Sequence, residues 1–178
     1  MGKPKIVHIA AITKNNAIGE NGRLLFTIKE DMSRFKALTI GSTVLMGRKT
    51  WESLPDKYRP LPLRTNMVLS RDPQYTAPGA MVFTDIEHAL AEVTTNKVFI
   101  IGGEQIYKET IDRADVLELT IIDTAMSADA FYPKFARGDF YRKDFGTGRD
   151  GGLHYAFMKF TRKKKSSVPE DDSCETSV

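Results

Sequence analysis

The chain has 178 residues, which is enough for one complete hydrophobic core but short for two independent domains. Its apolar content of 41% and its charged content of 28% are ordinary for a globular protein. No apolar run approaches the about 18 residues of a membrane span, and the first residues lack the apolar region of a signal peptide. We therefore expect a cytoplasmic protein with no membrane partner.

Charge is distributed unevenly along the chain. The net charge of +3 includes an acidic segment at 166–178, so residues 1–165 are more basic than the whole. This excess suits a small anionic ligand better than a nucleic acid, because no basic stripe is interleaved with aromatic residues. The single cysteine, Cys174, excludes a disulfide framework and a cysteine-based metal site. We expect one domain over 1–165, a disordered tail over 166–178, and no bound metal.

The first predicted elements are a buried strand and a loop. Residues 5–13 form a near-continuous apolar run, which is typical of a strand covered on both faces. His8 lies inside this run, and we expect it to be a packed histidine and not a catalyst. Asparagines and glycines over residues 14–23 predict a flexible surface loop that could act as a lid.

A helix is predicted next. Thr27 and Glu30 have the spacing of a capping box at a helix start. Ile28, Met32 and Phe35 then recur at helical spacing, which predicts a buried stripe.

Asp31 is out of place because it falls on that same apolar stripe. One interpretation is an acid that complements the helix dipole. The other is an acid that points into an apolar pocket and meets a ligand, where desolvation would raise its proton affinity. Helix geometry alone leaves both open.

Two predicted strands end in basic residues. Residues 43–46 form a short apolar strand, followed by Gly47, three residues with cationic or hydroxyl side chains at 48–50, and a short helix over 50–54. Such a strand end can hold phosphate, although a solvated basic turn is also common. Arg71 follows the strand predicted at 66–70 in the same way that Arg48 follows the earlier one, which suggests one anion at a shared sheet edge.

The later part of the chain completes the predicted sheet. Strands are predicted at 81–83, 98–103, 116–123, 140–145 and 154–161, with helices at 85–93 and 104–111 and a hairpin connection at 146–152. Gly102 and Gly103 would let a ligand approach the backbone, but the pattern is not a Rossmann fingerprint. We predict an α/β fold with a single mixed, mainly parallel β-sheet of about eight strands, flanked by helices and closed by an antiparallel C-terminal hairpin.

Several segments carry a family resemblance. Residues 46–53 read Met-Gly-Arg-Lys-Thr-Trp-Glu-Ser, and further matching segments lie, in chain order, at 9–11, 18–19, 31, 35–36, 61–62, 64–66, 69–71, 101–103, 106–107, 119–120, 129 and 131–133. On these residues the chain resembles dihydrofolate reductase over residues 5–162. The resemblance implies hydride transfer from NADPH to the pterin ring of dihydrofolate.

The resemblance also implies residue roles. Asp31 and Thr120 would be catalytic, with Asp31 promoting protonation of N5 through water and Thr120 sharing its hydrogen bonds. Arg64 would pair with the glutamate carboxylate of the substrate. The implied substrate-binding residues are Ile9, Ala10, Phe26, Asp31, Met32, Phe35, Ser53, Leu54, Leu61, Arg64, Ile101, Tyr107 and Thr120.

The implied NADPH site lies along the predicted strand ends. Arg48 and Arg71 would favour NADPH over NADH through its 2′-phosphate, and residues 14–26 would form a closing loop. The implied cofactor-binding residues are Ala11, Ile18, Gly19, Gly47, Arg48, Lys49, Thr50, Leu69, Ser70, Arg71, Ile101, Gly102, Gly103, Glu104, Gln105, Ile106 and Tyr107. We expect dihydrofolate and NADPH to be the partners of a monomer that binds no nucleic acid.

Two positions depart from the family pattern. Leu25 and Phe26 stand where the family usually has Pro-Trp, and Glu104 replaces a small residue beside the expected phosphate. Phe26 cannot donate the hydrogen bond that an indole N–H would give, so we expect altered antifolate sensitivity. Two alternatives remain open: a reductase of another heterocycle, such as a pyrimidine intermediate of riboflavin synthesis, and a binding protein that has lost turnover.

Overall fold

The computed structural model describes residues 2–164. The strands are β1 Lys5–Thr13, β2 Ala17–Glu20, β3 Arg23–Leu24, β4 Thr43–Gly47, β5 Thr65–Leu69, β6 Met81–Phe83, β7 Lys97–Ile100, β8 Val116–Ile122, β9 Ala130–Phe131, β10 Phe140–Asp150 and β11 Leu153–Arg162. The α-helices are α1 Lys29–Thr39, α2 Arg48–Ser53, α3 Ile86–Ala91 and α4 Glu104–Thr110. The predicted acidic tail at 166–178 and Cys174 lie outside the described residues.

Eight strands form one sheet in the order β10-β11-β8-β1-β7-β4-β5-β6. The pairs from β8 through β1, β7, β4 and β5 to β6 are parallel, whereas β11 pairs antiparallel with both β8 and β10. The central strands are buried because helices cover both faces of a parallel sheet, as their near-continuous apolar sequences predict. The predicted mixed, mainly parallel sheet with an antiparallel C-terminal pair is confirmed.

His8 is a core residue, as predicted. It is fully buried in β1, and its ring nitrogens lie 2.8 Å from the Tyr132 hydroxyl and 2.7 Å from the Thr110 hydroxyl. Burial, with a smaller contribution from the charge of Arg162, lowers the pKa of His8 to about 3. The imidazole is therefore neutral at physiological pH, and its role is packing and hydrogen bonding.

Two predicted loops contain more strand than expected. Residues 14–23 were predicted to be a flexible loop, but β2 and β3 pair there and join β9 in a small three-stranded sheet. The predicted hairpin between the last two strands is confirmed, but its connection is shorter than the predicted 146–152, because β10 continues to Asp150 and the turn consists of Gly151 and Gly152. Both glycines have positive φ, as a type I′ hairpin turn requires. The additional glycines inside β10 obscured this signal.

The start of α1 differs from the prediction. The N-cap position is Ile28 and has no side-chain cap, so the predicted capping box of Thr27 and Glu30 is wrong. The buried stripe is also only partly correct, because Ile28 is buried but the side chain of Met32 is 43% exposed. The helix predicted at 50–54 begins earlier, at Arg48. Local sequence patterns place helix ends only to within one or two residues, because tertiary contacts also decide where a helix begins.

Candidate active site at the strand ends

Asp31 lies in the first turn of α1, where the helix crosses β8. The hydroxyl of Thr120, which is 1% exposed on β8, donates a hydrogen bond of 2.5 Å to Asp31 Oδ1. Burial raises the pKa of Asp31, while the Thr120 hydrogen bond and the charge of Arg34 oppose this rise. The carboxyl therefore holds its proton more strongly than an exposed aspartate, which suits a group that supplies protons to a ligand.

A second contact between α1 and β8 was missed at the sequence level. Arg34 Nη2 lies 2.6 Å from Glu118 Oε2, and Glu118 is 5% exposed. Lys159 on β11 lies 3.3 Å from the other carboxylate oxygen. Glu118 and Thr120 share a face of β8, and Asp31 and Arg34 are one helical turn apart, so both bonds join the same face of α1 to the same face of β8. The charged residue inside an apolar strand was the signal that could have revealed this pair.

Arg64 lies beside the C-terminal half of α1. Its Nε donates to the Pro62 carbonyl at 2.8 Å and its Nη1 donates to the Thr39 hydroxyl at 3.1 Å. The guanidinium lies 5.8 Å from the centre of the Phe35 ring. In the described part of the chain Arg64 forms no salt bridge. Its charge remains available to an acidic ligand that packs along Phe35.

The other residues implied for substrate binding differ in their exposure. Ile9 and Leu61 are buried, while Phe26, Phe35, Leu54 and Ile101 are half-buried and Met32 is exposed. Ala10 lies opposite Leu119 on β8. Ser53 donates to the Thr50 carbonyl at 2.7 Å and closes the end of α2. The structure thus brings α1, β1 and β8 together around Asp31, with Arg64 at the far side of α1.

The paired glycines lie where β7 and β4 end side by side. The carbonyl of Gly102 accepts from the amide of Gly47 at 2.9 Å. Gly102 has φ of +123°, and a Cβ there would lie 3.3 Å from the Thr50 hydroxyl. The positive φ requires glycine at this position, and the close approach of Thr50 leaves little room for a side chain. Gly102 is buried, whereas Gly103 is half-buried.

Tyr107 packs against the glycine pair. It is 3% exposed, its ring lies 3.6 Å from the Cβ position of Gly102, and its hydroxyl donates to the Ile9 carbonyl at 2.7 Å. Burial raises the pKa of Tyr107, so the hydroxyl remains a neutral donor. Ile106 packs close to Gly47, where a Cβ would lie 3.3 Å from its side chain. These residues join β1, β4, β7 and α4 at one point.

The predicted cations follow two neighbouring strands. Gly47 and Leu69 are paired in the register of β4 and β5, so Arg48 and Ser70 directly follow the ends of two adjacent strands. Arg48 is not free, because its Nε donates to Glu52 at 2.8 Å and its guanidinium stacks 4.5 Å above the Tyr75 ring. Among residues 2–164, Arg71 makes no salt bridge. Lys49 and Thr50 lie beside Arg48 in the first turn of α2.

The remaining residues implied for the cofactor lie at the same edge. Glu104 does not present an uncompensated charge there, because Lys108 lies 2.6 Å from its carboxylate one turn along α4. Gln105 donates to Glu109 at 2.8 Å and is exposed. Ala11 pairs with Thr120 in the register of β1 and β8, while Ile18 and Gly19 belong to β2. In the part of the chain that the structure describes, no cluster of His, Cys, Asp or Glu is placed to hold a metal and no helix could cross a membrane.

A mixed α/β sheet with a proton-holding acid, a glycine pair and cations at its strand ends has the arrangement of a nucleotide-dependent enzyme. The family model described as dihydrofolate reductase matches residues 5–162. The chain is 40% identical over 161 residues to the dihydrofolate reductase of Neisseria meningitidis serogroup B, covering 89% of this chain and 98% of that protein. The chain belongs to the dihydrofolate reductase family.

Two further relatives support this assignment. Dihydrofolate reductase type 3 of Salmonella typhimurium is 43% identical over 128 residues, covering 71% of this chain and 77% of that protein. The solved structure of Enterococcus faecalis dihydrofolate reductase complexed with NADP(H) and RAB-propyl has a TM-score of 0.79 and 29% identity, and covers 91% of this chain and 98% of that one. The prediction of an NADPH-dependent oxidoreductase is confirmed.

Proposed function

We propose that the chain reduces 7,8-dihydrofolate to 5,6,7,8-tetrahydrofolate, with Asp31 promoting protonation of N5 through a water molecule. The observation that carries this proposal is the half-buried Asp31, whose raised pKa and bond to Thr120 provide a proton-holding carboxyl in a mostly apolar cleft. Thr120 orients the carboxyl, because it donates to Oδ1 and leaves Oδ2 to face the ligand. NADPH supplies the hydride when it is bound.

The residues at the strand ends fit the cofactor. Gly102 and Gly103 provide backbone without side chains next to Thr50, which suits the close approach of a dinucleotide. Arg71 and Lys49 supply charge for phosphate, and Arg48 is preoriented by Glu52 and Tyr75. We assign the cofactor phosphates to this edge.

The substrate is assigned to a cleft along α1, on the side where Phe35 packs in one cluster with Leu54 and Leu61. Phe35, Leu54 and Leu61 provide apolar surface beside Arg64, whose guanidinium is set by the bonds to Pro62 and Thr39. A carboxylate at the end of the substrate would provide the acidic partner that Arg64 lacks among the described residues. The pterin ring would then lie toward Asp31, at the other end of this cleft.

The loop after β3 motivates the proposal of altered antifolate sensitivity. Phe26 packs with Ile28, Ile122 and Phe157, so an apolar ring occupies a position where the family usually places a tryptophan. We expect Phe26→Trp to change the inhibition constants of pterin-like antifolates, because an indole N–H adds a donor at the cleft. Inhibition assays on both proteins test this, and unchanged constants would count against it.

NADPH absorbance in the presence of dihydrofolate tests the proposed function. Decay that depends on dihydrofolate supports it. Decay only with a pyrimidine intermediate of riboflavin synthesis would assign the chain to another reaction, and tight folate binding without decay would make it a binding protein. A monomeric state, a cytoplasmic location and the absence of nucleic-acid binding also remain proposals, which sedimentation, fractionation and gel-shift experiments can test.

A further inference from the structure

The start of α1 lacks a cap of its own and takes one from a distant hairpin. Ile28 at the N-cap position provides no side-chain acceptor. The amide of Lys29 instead donates to Asp150 Oδ2 at 3.3 Å, and Asp150 is the last residue of β10. A carboxylate at this position satisfies a free backbone donor and complements the positive end of the helix dipole. The helix start therefore depends on the β10–β11 hairpin.

A second bond from the same hairpin reaches the next residue. The hydroxyl of Tyr155 on β11 donates to Glu30 Oε2 at 2.5 Å. Tyr155 is 4% exposed, and the hydrogen bond to Glu30 together with desolvation raises its pKa to about 12, so it is a protonated donor at neutral pH.

The sequence of β10 makes room for this tyrosine. Gly148 pairs with Tyr155 across the hairpin, and a Cβ at Gly148 would overlap the Tyr155 ring. The ring also packs against Phe157 with centroids 5.4 Å apart. Packing against Gly148 and Phe157 therefore directs the Tyr155 hydroxyl toward α1 independently of Glu30.

Glu30 precedes Asp31, which bonds to Thr120. Successive helical residues point about 100° apart, so bonds from Glu30 to β11 and from Asp31 to β8 fix both the rotation and the position of the first turn. β8 and β11 are neighbouring strands, with Tyr155 opposite Ile122, so both bonds attach the helix to the same part of the sheet. Loss of the Glu30 bond would let the first turn rotate and lengthen the bond to Thr120.

Building on the proposed function, we propose that Tyr155 is a positioning residue for the reaction: it holds Glu30, and through the first turn of α1 it directs Asp31 at the substrate. Asp150 contributes by capping the same turn. Neither residue touches the reacting atoms, so their effect is expected in turnover and not in cofactor binding.

The surroundings make this bond suitable for a mutational test. Lys29, Glu30, Ser33, Arg149, Asp150 and Tyr155 line a surface cavity of about 450 Å³. Water can therefore hydrate Glu30 once its partner is removed, which limits the cost to the fold. The groups that face Asp31 are Thr120 on β8, Arg34 on its own helix, Tyr107 on α4 and Tyr155 on β11. Tyr155→Phe keeps the ring and removes only a hydroxyl that is uncharged at neutral pH.

The experiment compares Tyr155→Phe, Glu30→Ala and Glu30→Gln with the unmodified chain. Tyr155→Phe and Glu30→Ala both remove the bond, and we expect kcat to fall about threefold to tenfold with the KM for NADPH unchanged. Glu30→Gln keeps an oxygen acceptor and should restore most of kcat. Tyr141→Phe is the matched control, because Tyr141 is 66% exposed on β10 and pairs with Thr161, at the opposite end of the hairpin from Asp150.

Two results would overturn the inference: wild-type kcat in both bond-removing variants, or a fall in Glu30→Gln as large as that in Glu30→Ala. Hydrogen exchange provides a readout that does not need activity, because faster exchange of amides 29–33 in Tyr155→Phe is expected and unchanged exchange would refute the positioning role. If the unmodified chain fails to oxidise NADPH with dihydrofolate, the proposed function fails, and the exchange measurement still decides whether Tyr155 orders the helix start.

Discussion

Asp31→Asn tests whether the reaction needs the proton of Asp31, because the substitution removes that proton and keeps the shape of the side chain. Asparagine has nearly the same shape, and its side-chain oxygen can still accept the 2.5 Å hydrogen bond from Thr120. The second contact between α1 and β8, from Arg34 to Glu118, is untouched. The substitution therefore leaves α1 in place and removes only the ability of the side chain to hold and release a proton.

The expected loss follows from that single change. General acid catalysis by a positioned side chain contributes about 100- to 10,000-fold to a rate, so hydride transfer at neutral pH should fall within that range. The loss should shrink as the pH is lowered, because substrate that is already protonated no longer needs the carboxyl. Single-turnover measurements of NADPH absorbance between acidic and neutral pH give both quantities, and wild-type rates at neutral pH would refute the catalytic role.

Stability provides an independent check with a defined sign. Because burial raises the pKa of Asp31, the folded protein binds this proton more tightly than the unfolded chain. The protonated carboxyl thus contributes stability below its unfolded pKa, and this contribution is lost as the pH rises through the folded pKa. Asp31→Asn should be at least as stable as the unmodified chain at neutral pH and lose that advantage in acid. Asp112→Asn, at an exposed site, is the control for both assays.

Three further substitutions test the other assignments. Arg64→Leu should weaken dihydrofolate binding about tenfold or more and leave the Kd of NADPH unchanged, as measured by fluorescence titration; a larger effect on NADPH would mean that the two anion sites are misplaced. Arg71→Gln should lower the preference for NADPH over NADH about tenfold in kcat/KM, whereas an unchanged ratio would remove Arg71 from the 2′-phosphate site. Arg34→Met should lower the free energy of unfolding by about 3 kcal/mol in urea titrations, since it leaves the buried Glu118 with Lys159 alone. Stability unchanged by Arg34→Met would show that Lys159 compensates fully.

The sequence alone determined the sheet and its main strands. Apolar runs such as that of β1 have the pattern of strands buried on both faces, and alternation over β11 indicated a strand with one covered face. The segment at 46–53 carried the family resemblance. The position of Asp31 on the apolar stripe of α1 also predicted an unusual acid, because helical periodicity is a local property.

The tertiary structure decided which groups Asp31 contacts and where α1 begins. The bonds from Thr120 to Asp31 and from Tyr155 to Glu30 join residues 89 and 125 positions apart, so no local pattern contains them. The capping box failed for the same reason: Thr27 and Glu30 had the right spacing, but Glu30 accepts from Tyr155 and the Lys29 amide donates to Asp150. Periodicity specifies which face of an element is buried, whereas the partner that meets each polar group is fixed only when distant strands and helices pack together.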